Sequence, residues 1–219
     1  MKTQDSFDKQ AICRLCDSKS KLFHQSETSR FFKCPTCKGI FVDSSYLLDA
    51  ETEEERYQAH NNDTTDPRYR KFVSPITGAV QASFRDSHLG LDFGCGSGPV
   101  ITEVLREKGY QINTYDPFFD YRPEVLNEKY HFIACCEVAE HFHQPAKEFK
   151  LLKKLLHPKG SLFIMTDLFK GEIDFAEWYY KNDPTHVFFY QNDTFEWICK
   201  HFDFEKFEIS GRLTTLYNK

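Results

Sequence analysis

The chain has 219 residues, 40% of them apolar and 28% charged, with a formal net charge of −5. That length admits one sizeable domain plus a small accessory one, and the composition is that of an ordinary globular protein. The mild acidity gives no general electrostatic footprint for nucleic acid, no apolar run approaches membrane-spanning length, and Met1-Lys-Thr-Gln-Asp-Ser has no leader-like core, so the chain is expected to be cytoplasmic.

In chain order, the first signal is Cys13-Arg-Leu-Cys16 followed, after 17 residues, by Cys34-Pro-Thr-Cys37. Two Cys-x-x-Cys pairs at this spacing predict a zinc ribbon, each knuckle aiming two thiolates at one metal. Four sulfur ligands would leave no position for water, so Zn2+ is expected to be structural; a redox dithiol is the alternative. Lys21-Leu-Phe-His24 and Arg30-Phe-Phe-Lys33 are the candidate ribbon strands, and His24 is read as an ordinary histidine. Residues 1–45 hold six Lys and two Arg against four Asp and one Glu, a basic excess too slight to imply nucleic-acid binding.

Residues 46–85 read as a connector and cofactor lid. Asp49-Ala-Glu-Thr-Glu-Glu-Glu-Arg56 predicts an exposed helical turn or two, and the run from His60 to Pro67 a loop. Tyr69, Phe72, Val73, Ile76, Ala79, Val80 and Phe84 recur at near-helical spacing, interrupted at Ser74-Pro75.

From residue 86 strand and helix patterns alternate, which predicts an α/β fold with a mostly parallel, doubly wound sheet. Leu89–Phe93 is the first strand and runs into Gly94-Cys-Gly-Ser-Gly98. Pro99 opens a helix striped by Val100, Ile101, Val104 and Leu105, which Gly109 ends. Gln111–Tyr115 is the second strand. His131–Cys136 is a later one, Pro145–Leu156 a helix, His157-Pro-Lys-Gly160 a turn and Ser161–Thr166 the next strand. Asp193–Phe202 is an amphipathic helix, and two strands close the chain.

Glycines at alternating positions after a strand let a nucleotide-like ligand lie on the backbone at a helix start. A pyrophosphate fingerprint would need a third glycine where Pro99 stands, so a nicotinamide dinucleotide is disfavoured. Asp116 lies 22 residues beyond Gly94 at the end of the second strand, where its carboxylate can accept both hydroxyls of an unphosphorylated ribose.

Leu91-Asp-Phe-Gly-Cys-Gly-Ser-Gly98 with Asp116 resembles the first two motifs of class I S-adenosylmethionine-dependent methyltransferases. Cys136-Glu-Val-Ala-Glu-His141 resembles the E-V-x-E-H segment of small bacterial members, and Leu155-Leu-His-Pro-Lys-Gly160 their turn into the fifth strand. The resemblance covers residues 86–219 and implies a Rossmann-like methyltransferase sheet behind the zinc ribbon, with S-adenosyl-L-methionine as cofactor. Carried over, Asp92, Gly94, Cys95, Gly96, Ser97 and Gly98 would hold its methionine and ribose portions, Asp116 the ribose hydroxyls, and Pro117 and Phe118 the adenine. Cys136 and Glu137 would face the transferred methyl group. One departure is that Tyr130 follows Asp116 by only 14 positions, so the usual third strand is shortened or absent.

Methyl transfer needs a positioned nucleophile and often a general base. His186, in Asn182-Asp-Pro-Thr-His186, is the leading candidate base, with His141 a second and His143 read as solvent-facing. Tyr179, Tyr180, Asp183 and Tyr190 would wall the acceptor pocket, while Trp178 and Trp197 are read as core. A small-molecule acceptor is the leading reading. An RNA or protein substrate gripped by the ribbon, and a non-catalytic binding protein of the same fold, are the alternatives.

Overall fold

The computed structural model describes residues 10–59 and 63–219; residues 1–9, the start of the expected ribbon domain and leaderless N-terminus, and 60–62, in the expected loop, lie outside the described residues. Strands β1 (Gln10–Ile12), β2 (Lys19–Gln25), β3 (Arg30–Lys33) and β4 (Ile40–Val42) form an antiparallel N-terminal sheet. Its fifth strand, β9 (Phe188–Phe189), comes from far along the chain and pairs with β4.

Three helices follow: α1 (Ala50–Gln58), α2 (Pro67–Phe72) and α3 (Ser74–Ser83). Asp49 and Asp66 cap the first two by accepting the Thr52 and Arg68 amides at 2.9 and 2.8 Å. The interruption expected at Ser74-Pro75 is real. Val73 ends α2 and adjoins α3, in which proline occupies the first turn, where its missing N–H is tolerated.

The main sheet contains β5 (Leu89–Phe93), β6 (Gln111–Tyr115), β7 (Tyr130–Cys136), β8 (Leu156–Met165), β10 (Phe204–Ser210) and β11 (Leu213–Asn218). Its order is β10-β11-β8-β7-β5-β6; β6, β5, β7 and β8 run parallel and the terminal hairpin antiparallel. Both faces are covered, so the central strands are near-continuous apolar runs. Alternation along β7 divides the core. Ile133 and Cys135 face a cluster with Phe149, Leu152 and Leu155 of α5 (Pro145–Leu155) and Phe195 and Ile198 of α6 (Asn192–His201). Phe132 and Ala134 face Val73, Ile76 and Val80 together with Val100, Ile101 and Leu105 of α4 (Val100–Arg106). Burying one ring such as Phe149 stabilises the fold by roughly 1.5–3 kcal/mol.

Two local features differ from or sharpen the sequence reading. The expected turn at His157–Gly160 is instead part of the ten-residue β8. The C-terminal strand reaches far enough to engage it: the Lys159 amide donates to the Lys219 carbonyl at 3.1 Å and Asn218 Nδ2 to the His157 carbonyl at 2.7 Å. Between β6 and β7 there is no third strand. An isolated bridge between Asp116 and Asp120 and a short 3-10 turn over Pro123–Asn127 span the gap, leaving β6 at the sheet edge.

Candidate active site

At the C-terminal edge of β5, Gly94 and Gly96 adopt φ of +75° and +65°. A Cβ on Gly94 would stand 2.5 Å from a Val138 methyl, so both conformation and space require glycine there. The Gly94 and Cys95 amides donate to the Tyr115 carbonyl at 2.7 and 3.2 Å, and the Gly96 amide to Asp116 Oδ2 at 2.9 Å. Three consecutive N–H groups are therefore spent tying the loop to β6. They form no cradle for a pyrophosphate, which agrees with the reading drawn from Pro99.

Asp116 also accepts the Phe118 and Phe119 amides at 2.9 and 3.1 Å. Three of its roughly four acceptor sites are thus used in holding the two loops together, which leaves one side open to a ligand hydroxyl rather than a free bidentate grip. Asp92 is fully buried behind the loop and accepts the Thr102 hydroxyl at 2.8 Å. Burial pushes its carboxyl up to about 6.

These loops floor a cavity of about 540 Å³, within the range that holds a small cofactor. One end is aromatic, with Tyr115, Phe118 and Phe119; the other is acidic, with Glu137 and Glu53. No lysine or arginine lines it among the described residues. Helix α1 lies over this acidic end. Tyr57 packs edge-on against His141 with its hydroxyl 3.2 Å from Nδ1, and Glu53 accepts from His143 Nε2 at 2.8 Å. Tyr69 and Phe72 of α2 complete the cover.

The acidic end is built where β7 stops. Glu137 sits at φ +51°, a strained position for a non-glycine residue and one that such sites favour. Its Oε2 accepts from Arg212 at 2.6 Å and from the Tyr180 hydroxyl at 3.3 Å, while Oε1 is buried without a partner among the described residues. Burial, and then the neighbouring Glu140, push its carboxyl up to about 8 against the opposing pull of Arg212. Glu140 is fully buried. One oxygen accepts the Tyr180 hydroxyl, and desolvation raises its pKa as well. His186 Nδ1 donates to the Tyr180 carbonyl at 2.7 Å, and its ring packs 4.2 Å from that of Tyr180. Desolvation lowers its pKa, so the ring is neutral with its lone pair on Nε2.

The structure brings Gly94, Cys95, Gly96, Asp116, Pro117, Phe118, Cys136, Glu137, His141 and His186 to this one cavity. Asp92, Ser97 and Gly98 stand outside its lining. The acceptor wall expected from the tyrosines takes a different form. Tyr190 is fully buried and stacks on Phe195, its hydroxyl donating to the Ala139 carbonyl at 2.9 Å. Tyr179 is 63% exposed, and Asp183 accepts the Thr185 amide and hydroxyl beside Arg56. Only Tyr180 acts on the site, and it does so from beneath, through Glu137 and Glu140. His143, read as solvent-facing, lines the cavity in its bond to Glu53.

Sequence reasoning missed Glu53, Tyr57 and Glu140. The first two were legible as an i, i+4 pair in the acidic run 49–56 and the residues after it, a spacing that puts both on one helix face. Glu140 carried no signal apart from its motif, because only burial sets it apart from the other acids.

The four cysteines converge as their spacing predicts. Cys13 Sγ lies 3.5 Å from Cys37 Sγ, and Cys16 Sγ 3.3 Å from Cys34 Sγ, with all four sulfurs within 4.8 Å of one another. Tetrahedral Zn–S bonds of ~2.3 Å place sulfurs about 3.8 Å apart, so this donor set fits zinc. His24 stays outside the cluster and packs against Phe31 and Phe175. Each knuckle turns on a left-handed residue directly after its second cysteine, Asp17 and Lys38. The cluster also reaches the active site, because Arg14, inside the first knuckle, donates to the Val42 and Val187 carbonyls at 2.9 and 2.7 Å. It thereby clamps β4 to the segment that carries His186.

A family model described as a methyltransferase domain matches residues 56–209. No curated protein gives a significant sequence match. Among solved structures, magnesium protoporphyrin IX methyltransferase from Synechocystis with bound S-adenosylmethionine aligns with a TM-score of 0.51 at 12% identity, over 80% of this chain and 94% of that one. Human N-acetylserotonin methyltransferase in complex with S-adenosylmethionine aligns at 0.53 and 11% identity, over 78% of this chain and 56% of that one. An S-adenosylmethionine-dependent methyltransferase from Archaeoglobus fulgidus aligns at 0.51 and 18% identity, over 73% and 76%. At these identities the likeness is one of fold. No helix among the described residues is long and apolar enough to cross a membrane.

Proposed function

This chain belongs to the S-adenosylmethionine-dependent methyltransferase family, and we propose that it methylates a small-molecule acceptor that is neutral or cationic. The observation that carries this reading is the cavity lining. Glu53, Asp116, Glu137 and Glu148 contribute carboxyls, no lysine or arginine joins them in the lining among the described residues, although Arg212 reaches Glu137 from outside it, and α1 roofs the space through Tyr57 and Glu53. A phosphate-rich strand would meet four carboxyls there and no lysine or arginine of the lining. The methyltransferases of Synechocystis and human named above act, by their names, on a porphyrin and on N-acetylserotonin, both small molecules.

The cavity's polarity fits a nucleoside with a cationic amino-acid tail. Tyr115, Pro117 and Phe118 would bind the base and Asp116 one ribose hydroxyl. Glu137, with its buried unpartnered oxygen, would attract the positive end. When bound, S-adenosylmethionine supplies a methyl group activated by a sulfonium. The chain's own task is then to hold the acceptor in line and to take charge of its proton. The corner formed by Glu140, His141 and His186 is placed to do this, and Tyr180 and Thr185 fix its geometry from behind. The four-cysteine cluster holds zinc in this account. Its role is architectural, bracing β4 against β9 so that His186 keeps its place.

The test is turnover and cofactor affinity in His186→Ala. Release of S-adenosylhomocysteine with a panel of small hydroxyl- and amine-bearing acceptors should fall roughly a hundredfold or more, as expected for loss of a proton-handling group. Affinity for S-adenosylhomocysteine should stay within about threefold. Undiminished turnover would remove the corner from the reaction.

A further inference from the structure

We propose that the Glu140–His141–His186 corner is a binding site for a divalent cation, distinct from the four-cysteine cluster and open to the cavity. The inference rests on the methyltransferase reading only for what the cation would do, not for its presence. Glu140 and His141 come from the 3-10 turn after β7 and His186 from the segment before β9, yet one ligand atom from each lies within 4.8 Å of the others.

Both rings are hydrogen-bonded through Nδ1 to a backbone carbonyl, the arrangement that commonly supports ligating histidines. His141 Nδ1 lies 2.9 Å from the Thr185 carbonyl, and His186 Nδ1 lies 2.7 Å from the Tyr180 carbonyl. A carbonyl only accepts, so each Nδ1 carries the proton and each Nε2 keeps a lone pair. Backbone carbonyls behind ligating histidines fix the tautomer in this way.

The third observation is independent of the rings. Glu140 is fully buried, its Oε1 takes the Tyr180 hydroxyl, and Oε2 has no hydrogen-bond partner among the described residues. A buried carboxylate oxygen left this way is expensive, and a cation is the partner that a pair of lone-pair-bearing imidazoles and an acid would share. Tyr180 holds the acid rigidly, being itself tied to Thr166 at 3.2 Å.

Two imidazoles and one carboxylate suit a borderline divalent ion of the Mn2+ to Zn2+ series. Three protein ligands leave coordination positions free, and since His141 and His186 both line the cavity, those positions face the acceptor. An acceptor hydroxyl bound there becomes more acidic and gives up its proton to solvent. The reading is thereby deepened to an oxygen acceptor, and one bearing a second oxygen close by would chelate the ion.

Mn2+ is the discriminating probe, because it prefers oxygen and nitrogen donors and leaves thiolates to zinc. The full chain, loaded with one equivalent of zinc, would be titrated with Mn2+ by electron paramagnetic resonance. The native protein should bind one Mn2+ per chain, and Glu140→Gln and His186→Asn should each weaken that binding roughly tenfold or more. His186→Asn, at a partly exposed position, keeps the test decisive if Glu140→Gln fails to fold. Uptake of no Mn2+ by the native chain, or equal uptake by folded variants, overturns the proposal. S-adenosylhomocysteine titrated into the same samples separates the two ideas: binding of it without Mn2+ sinks the cation alone, and failure to bind it sinks the methyltransferase reading.

Discussion

Replacing Asp92 by Asn tests whether the acid beneath the glycine loop is held against its own solvation. Asp92 is fully buried, and desolvation raises its carboxyl from 3.8 to about 6. The group that is raised on folding keeps its proton longer in the native state than in the unfolded one. The penalty is therefore absent below about pH 4, grows as pH climbs through about 6, and is complete at neutral pH. The difference between 3.8 and about 6 corresponds to about 3 kcal/mol. Asparagine removes the charge and keeps an acceptor, and the Thr102 hydroxyl, now 2.8 Å away, can turn from donor to acceptor. Allowing about 1 kcal/mol for an imperfect exchange of hydrogen bonds, Asp92→Asn should be more stable than the native chain by about 2 kcal/mol near pH 7.5. The gain should cross zero between about pH 4 and 5 and become a loss approaching about 1 kcal/mol at lower pH. Urea unfolding of both proteins across that range measures it. An equal or lower stability at neutral pH, or a difference that does not change with pH, would refute the reasoning.

Three further outcomes follow from the same geometry. Gly94→Ala forces a side chain into φ +75° and against Val138 at 2.5 Å, which should cost about 2–4 kcal/mol in stability; adding Val138→Ala should recover the steric part and not the backbone part. Cys34→Ser should abolish stoichiometric zinc, measured by elemental analysis, and lower the melting temperature by several degrees. Because the cluster braces β9 rather than the glycine loop, turnover in Cys34→Ser should fall more than S-adenosylhomocysteine affinity does. Tyr57→Phe should leave the fold intact and raise the apparent KM for the acceptor a few-fold, since it removes the hydroxyl beside His141 and keeps the ring that packs 5.5 Å from Phe118 at the aromatic end of the cavity.

Much of this architecture is written locally. The strands over Leu89–Phe93 and Gln111–Tyr115, the break at Ser74-Pro75 and the short Asp116–Tyr130 interval all follow from periodicity, proline and spacing, and the two Cys-x-x-Cys pairs announce their cluster. What local reading could not supply was long-range partnership. Phe188 and Phe189 look like any aromatic run until β4 is seen beside them, and that pairing fuses the ribbon's sheet to the segment after His186. The same limit explains the tyrosines. Tyr179, Tyr180 and Tyr190 are chemically alike in sequence, yet packing leaves one in solvent, aims one at Glu137 and the buried Glu140 and seals one in the core. For Glu53 the spacing to Tyr57 marks a shared helix face, but only the docking of α1 shows that this face, and not another of the acidic run, meets the cavity.

We propose that S-adenosylmethionine binds in the cavity between the glycine loop and Glu137, in a site organised by Asp116. Asp116 ties the Gly96 amide to those of Phe118 and Phe119, so Asp116→Ala removes the link between the two loops together with the proposed contact to the ribose. Calorimetric titration with S-adenosylhomocysteine should give one site per chain in the native protein. In folded Asp116→Ala the affinity should fall roughly tenfold to a hundredfold, the loss of one or two charge-assisted hydrogen bonds. Native protein that takes up no S-adenosylhomocysteine, or a variant that binds it unchanged, would contradict the account.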